Sequence, residues 1–326
     1  MHRKKICLII IILFGCNSFA QKIYQHEEKL EGQIFLTETI AIPVENAGYT
    51  LVLPDDNNAD GLVVFLNSHR DAGKVVEEPS LEFYALQNNL GILFVTTGNK
   101  LEFFFSEDSI KKVDRYIDEV VKKYNIPKEN LFFAGMSLSG TRALKYTQFC
   151  ILGKSEFGII PAAVAVCDSP LDFVRFWLEN IKAKRLNFNP VTANEGEWVT
   201  GYLESNLGGT PEAKLEAYQD FSVYCYTADQ GGNVKLLKDI PVRAYTEPDV
   251  LWWMETRRKD YYAMNAIDLA AMINELNILG NENAELIVTY DKGYHPDGTR
   301  HPHSWSIVDN EDLIHWFLSF KNNNEN

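Results

Sequence analysis

Leu131-Phe132-Phe133-Ala134-Gly135-Met136-Ser137-Leu138-Ser139-Gly140 carries a strand, a sharp turn and a helix start within ten residues. The apolar run 131–134 suits a strand buried on both faces. Gly135, two residues before Ser137, and the small Ser139, two after it, allow the backbone to fold back tightly. Residues 138–150 then read as a helix. Such a turn lifts the Ser137 hydroxyl to the carboxyl edge of a sheet and holds the serine in a strained conformation. The Leu138 amide falls at a helix N-terminus, where an unpaired N–H stabilises negative charge. The competing reading is a Gly/Ser-rich loop with no chemistry.

Working outward, Leu62–Leu66 and Leu90–Val95 are further short apolar runs with strand character, and Ala162–Val166, Val242–Tyr245 and Ala284–Tyr290 read as strands again. Ile110, Val113, Ile117, Val120, Val121 and Tyr124 recur at helical spacing, and Ile126-Pro127 ends that helix. Further helices are expected around Tyr261–Leu279 and Ser304–Phe320. Alternation of strands and helices predicts an α/β fold, a mostly parallel central sheet with helices on both faces. Ile34–Ile42 and Tyr49–Leu53 are expected to form an antiparallel pair turning at Asn46-Ala47-Gly48, after a polar lead-in. The rhythm breaks at residues 169–239, a Trp- and Tyr-bearing stretch too long for a simple loop, which predicts a cap or lid insertion. One domain, 21–326, is expected around it.

The chain has 326 residues, 46% hydrophobic and 23% charged, which excludes a disordered or collagen-like protein. Its formal net charge is −14, with no Lys/Arg block, so nucleic acids and anionic membrane surfaces are excluded as partners. Residues 1–20 read as a signal peptide: a basic start, the apolar run Ile6–Phe14, and Ser18-Phe19-Ala20 before Gln21. The protein is thus expected to be exported, periplasmic or secreted, with no transmembrane span after cleavage. The alternative is a lipoprotein signal, Leu13-Phe14-Gly15-Cys16, with Cys16 lipidated. Cys150, Cys167 and Cys225 then remain; they read as core residues, with one disulfide as the alternative.

In its strand context, Gly135-Met136-Ser137-Leu138-Ser139-Gly140 resembles the nucleophile elbow Gly-x-Ser-x-Gly of the α/β-hydrolase superfamily. Ser139 stands where that motif has its second glycine, and Gly140 follows one place later. The resemblance spans roughly residues 34–320 apart from the insertion, and implies a triad in the order serine, acid, histidine. For the acid, Tyr245-Thr246-Glu247-Pro248-Asp249 ends a strand where similar hydrolases place it, commonly as the second of two acidic residues. This favours Asp249, then Glu247. Asp168 ends the preceding strand, where some relatives supply the acid. The structural alternative for Asp249 is to cap a helix containing Trp252 and Trp253.

His295, His301 and His303 lie between the last strand and the last helix, the loop in which the superfamily carries its histidine. His303, just before Ser304-Trp305, fits best; His301 is the alternative. Such a histidine takes the serine proton and returns it to the leaving group. The second oxyanion amide is expected from Ser68 or His69, since Leu66-Asn67-Ser68-His69 occupies the place of the family's His-Gly-x loop. A metal site at His295, Asp297, His301 and His303 is disfavoured by this loop's Pro/Gly content, which fixes no ligand geometry, and no dinucleotide fingerprint or phosphate loop is present.

These residues imply a serine hydrolase, foremost a carboxylesterase working through an acyl-enzyme on a small-molecule ester. The aromatic insertion suggests an acylated sugar or an aromatic ester. The alternatives are a serine peptidase, which in this superfamily usually carries a large extra domain, and a non-catalytic binding protein retaining the shell.

Overall fold

Strand-forming runs of Val, Leu, Ile and Phe set the architecture of the computed structural model, which describes residues 21–55, 57–66 and 76–322. The signal sequence with Cys16, and Ser68 and His69, lie outside the described residues. In chain order the strands are β1 (Gln21–Glu28), β2 (Gln33–Phe35), β3 (Ala41–Pro43), β4 (Ala47–Pro54) and β5 (Leu62–Leu66). They continue with β6 (Gly91–Thr96), β7 (Leu131–Met136), β8 (Ala163–Cys167), β9 (Val242–Thr246) and β10 (Ala284–Val288). The helices are α1 (Leu81–Gln87), α2 (Glu107–Lys123), α3 (Leu138–Ile151), α4 (Phe173–Leu186), α5 (Pro190–Leu207), α6 (Leu215–Phe221), α7 (Val250–Arg257), α8 (Asn265–Ile278) and α9 (Asn310–Leu318).

Eight strands form one sheet in the order β1-β4-β6-β5-β7-β8-β9-β10. From β6 to β10 every pairing is parallel, while β1 and β4 run antiparallel at one edge. This is the α/β architecture expected from the sequence. Side chains of β5, β7 and β8 are buried alternately on the two faces. One face packs Val64, Leu131, Phe133 and Val166 under α2, α3 and α8; the other packs Val63, Phe132 and Ala165 under α1 and α9. Each buried Val, Leu or Phe among these contributes roughly 1.5–3 kcal/mol.

Helix α2 shows why sequence period and burial agree. Ile110, Val113, Ile117, Val120 and Val121 point into the core. Ser106 caps its start by accepting from the Asp108 amide; Glu107 and Asp108 begin it and Lys122 and Lys123 end it, each favourable to the helix dipole.

The expected pairing at the N-terminal edge is corrected. The segment 34–42 is not one strand, and it does not pair with Tyr49–Leu53. β2 and β3 form a separate small hairpin, while β4 pairs with β1, the stretch read as a polar lead-in. Two-residue periodicity is weak in Gln21–Glu28 because an edge strand needs few apolar residues; its hydrogen bonds to β4 hold it. Gly48 makes that pairing fit, since a Cβ there would lie 1.9 Å from the His26 carbonyl oxygen. The expected last helix is also shorter. A 3-10 turn at Trp305–Ile307 precedes α9, whose start is capped by Asp309.

Between β8 and β9 the chain builds α4, α5 and α6. α4 packs along α5, and with the β2–β3 hairpin they enclose a third apolar cluster around Leu36, Phe103, Phe173, Leu203 and Tyr218. The end of this stretch returns to the main core through Val234 and Leu237. Cys150, Cys167 and Cys225 are all buried and free. Among the described residues no helix is long and apolar enough to cross a membrane.

Candidate active site

At the carboxyl end of β7 the chain turns into α3 through Ser137, whose backbone sits at φ 54° and ψ −130°. This is a conformation L-residues avoid, costing about 1–3 kcal/mol. Gly135 and Gly140 make it attainable. A Cβ on Gly135 would approach the Ser139 carbonyl carbon to 2.4 Å, and one on Gly140 would lie 2.1 Å from Ser169 Oγ and 2.8 Å from the Gly135 oxygen. The close-approach position is therefore 140, one place later than in the usual motif. Gly140→Ala is expected to destabilise the protein by about 1–3 kcal/mol through overpacking against backbone, read as a lowered urea midpoint.

Ser139 has its own task. Its Oγ donates to the Leu66 carbonyl at 2.6 Å, tying the turn to the end of β5. The Leu138 amide is the first of α3, so the helix supplies no carbonyl for it. Of the amides expected for an oxyanion hole, it is the one that falls among the described residues.

Cys167, last residue of β8, organises the neighbouring strand end. Its carbonyl accepts the Ser137 amide at 2.9 Å, and its Sγ lies 3.7 Å from the Ser304 carbonyl oxygen. Burial pushes the thiol well above its ordinary range, so it stays protonated and donates. The next residue, Asp168, is buried, with φ 42°. Its amide donates to the Tyr245 carbonyl at 2.9 Å, and its carbonyl accepts from Asn265 Nδ2 at 2.9 Å. These contacts aim the carboxylate at the histidine loop, where Asp168 Oδ2 lies 2.6 Å from His303 Nδ1. An ionised Asp168 places the imidazole proton on Nδ1 and leaves Nε2 as the free lone pair.

The structure thus joins His303 to Asp168 and not to Asp249, the acid placed first by the sequence. Asp249 caps α7: its Oδ1 accepts the Trp252 amide at 3.0 Å, and its Oδ2 is 2.8 Å from an Arg300 guanidinium nitrogen. Glu247 is equally engaged. It accepts from Thr289 Oγ1, the Lys292 amide and the Gly293 amide, and Arg300 lies 2.5 Å from its Oε1. Both acids after β9 are therefore bound to Arg300, from the histidine loop itself. Together they fix that loop against the sheet edge, a positioning role that sequence spacing did not reveal.

His301 is half-buried against Trp252, with ring centroids 4.7 Å apart, and its Nδ1 lies 3.0 Å from the His303 carbonyl oxygen. Burial, with His303 and His295 beside it, pushes its pKa down to about 4. It therefore stays neutral at ordinary pH and donates to the loop that carries His303. His295 packs at 4.8 Å from His301.

Ser137, Leu138, His301 and His303 open onto one cavity of about 360 Å³, the size of a small-molecule site. Its walls come from the β8–β9 segment (Phe176, Trp198), from the loop before α2 (Phe103) and from α7 (Trp253).

Comparisons with known proteins agree with this architecture. No protein-family model matches the chain, and no curated protein is similar in sequence. Among solved structures, carboxyl esterase 2 of the mycorrhizal fungus Tuber melanosporum superposes with TM-score 0.53 at 15% identity, over 94% of this chain and 88% of the esterase. Acylaminoacyl peptidase of Pyrococcus horikoshii superposes with TM-score 0.55 at 14% identity, over 97% of this chain and 44% of the peptidase. A prolyl endopeptidase gives TM-score 0.53 at 10% identity, over 92% and 39%. The chain thus spans less than half the length of these two peptidases.

Proposed function

Since the chain has the α/β-hydrolase fold, we propose that it is a serine hydrolase, a carboxylesterase, with Ser137 as nucleophile, His303 as base and Asp168 as the orienting acid. The observation that carries this reading is that one cavity is lined both by the strained Ser137 and by His303, whose Nδ1 lies 2.6 Å from Asp168. Neither feature has a structural need for the other.

In this mechanism Ser137 Oγ attacks the ester carbonyl carbon while His303 Nε2 takes its proton. The carbonyl oxygen becomes an oxyanion beside the Leu138 amide. The carbon–alkoxide bond then breaks, and His303 returns the proton to the departing alcohol. Water repeats the sequence on the acyl-enzyme, releasing the acid and restoring Ser137. Asp168 holds the tautomer and stabilises the transient imidazolium. The segment of α4 and α5 serves as a lid that lines the acyl or alcohol site with aromatic rings.

Support for ester over peptide cleavage comes from the fungal esterase, matched over most of its own length, whereas the peptidases match over less than half. The decisive measurement compares p-nitrophenyl esters with aminoacyl p-nitroanilides under the same conditions. Ester turnover exceeding anilide turnover by several orders of magnitude supports the esterase; comparable rates would make it a peptidase. A protein that reacts with neither substrate nor a fluorophosphonate probe would be the binding protein with a hydrolase shell.

We further propose that residues 1–20 direct export. Intact mass of the natively produced protein should start at Gln21; a diacylglyceryl group on Cys16 would instead place it on a membrane.

A further inference from the structure

Of the charged side chains that line the cavity, Glu179 and Lys259 neutralise each other, while Arg257 and Glu195 have no ion-pair partner among the described residues. Lys259 is ion-paired with the buried Glu179 and lies 5.5 Å from the Trp253 ring centroid. Lys182 pairs with Asp260, and Arg258, exposed and stacked on Phe188 at 4.8 Å, does not line the cavity. The nearby acids Glu247 and Asp249 are held by Arg300. Arg257, at the end of α7, lines the same cavity as Ser137 and His303 and is half-buried there. No carboxylate among the described residues lies within ion-pair distance of it. The histidine it approaches, His301, is neutral and so carries no negative charge to balance it.

A partly desolvated guanidinium facing aromatic walls is costly without an anion to complete it. We infer that Arg257 anchors a carboxylate of the substrate, so that the enzyme hydrolyses esters bearing a free carboxylate group. This rests on the reading of Ser137 and His303 as the reacting pair.

The planar, forked guanidinium matches a carboxylate with two parallel hydrogen bonds. A phosphate dianion fits less well, because the cavity offers one uncompensated cation and carries Glu195 as its other unpaired charge. Glu195 lies near Glu179, whose carboxyl it helps to push up, and so it sits toward the α4 side of the cavity. Its negative charge opposes a dianion while tolerating a singly charged carboxylate held at Arg257.

The test uses two matched pairs, which place the charge on either side of the ester: 4-acetoxybenzoate against its methyl ester, and mono-p-nitrophenyl glutarate against p-nitrophenyl valerate. In one pair the carboxylate member should have the higher kcat/KM. Arg257→Gln should lower that ratio by about tenfold or more, the worth of a charge-assisted pair, with part recovered in Arg257→Lys. The ratio cancels any general loss of activity. A second measurement needs no variant: 4-phenylbutyrate should slow fluorophosphonate labelling of the wild-type protein, and 4-phenylbutyramide should not. No anion preference in either pair, an unchanged ratio in Arg257→Gln, or equal protection by the amide would each overturn the inference. Preference for ammonium-bearing esters, lost in Glu195→Gln, would overturn it in favour of the acid as anchor. Failure of the wild type to react with the probe at all would remove the hydrolase reading itself, and this inference with it. Labelling without anion preference removes the inference alone.

Discussion

Ser137→Ala is expected to eliminate fluorophosphonate labelling and to lower ester kcat by about 10⁶-fold, the scale seen when a triad nucleophile is removed. The expectation follows from position. Ser137 alone combines the positive φ at the β7–α3 turn with a side chain on the cavity that His303 shares. The fold should persist, because the strain at residue 137 is set by Gly135, Gly140 and the amide bond to Cys167, none of which involves Oγ. Ser139→Ala is the matched control. It removes one hydrogen bond to Leu66, worth about 1 kcal/mol, and should retain labelling. Loss of labelling in Ser139→Ala but not in Ser137→Ala would put the nucleophile two residues downstream and break the proposed site.

The turn around Ser137 was legible in the sequence because its determinants are local. An apolar run, a glycine, a serine and a small residue within ten positions specify strand, turn and helix without reference to the rest of the chain. Parallel strands and the amphipathic α2 were legible for the same reason: burial on one or two faces imprints a period. β1 was not, since Gln21–Glu28 earns its place by backbone hydrogen bonds to β4, which leave little trace in side-chain pattern. The histidine loop could be found by its position after the last strand. Which acid faces it could not, because Asp168 and Asp249 both follow strand ends, and their difference is a matter of partners far apart in sequence. Arg300 is the residue that separates them. A basic residue between His295 and His301 reads as an ordinary solvated charge, yet it draws Glu247 and Asp249 away from His303. The second oxyanion amide expected at Ser68 or His69 falls outside the described residues, so of the expected amides Leu138 is the one that lies among them.

Asp168→Asn should therefore lower kcat by about 10⁴-fold, while Asp249→Asn should act mainly on stability. In the wild type the carboxylate accepts from His303 Nδ1 at 2.6 Å, which in the neutral imidazole fixes the tautomer with the lone pair on Nε2, the one the proposed mechanism needs. An asparagine can present its amide N–H₂ to Nδ1 and turn the imidazole to the opposite tautomer, with the proton on Nε2, where it cannot accept. Packing should change little, since Asp168 and Asn are isosteric and the backbone bonds to Tyr245 and Asn265 remain. Asp249→Asn, by contrast, keeps an oxygen to cap the Trp252 amide and loses charge only toward Arg300, which retains the buried Glu247. Its expected cost is below about 1 kcal/mol in unfolding free energy, with kcat within severalfold of wild type. Steady-state kinetics on the two variants, with urea unfolding alongside, separates the assignments. A 10⁴-fold loss in Asp249→Asn with near-normal rates in Asp168→Asn would return the acid to the end of β9. It would also require the loop to rearrange, because His303 could reach Asp249 only after Arg300 had released it.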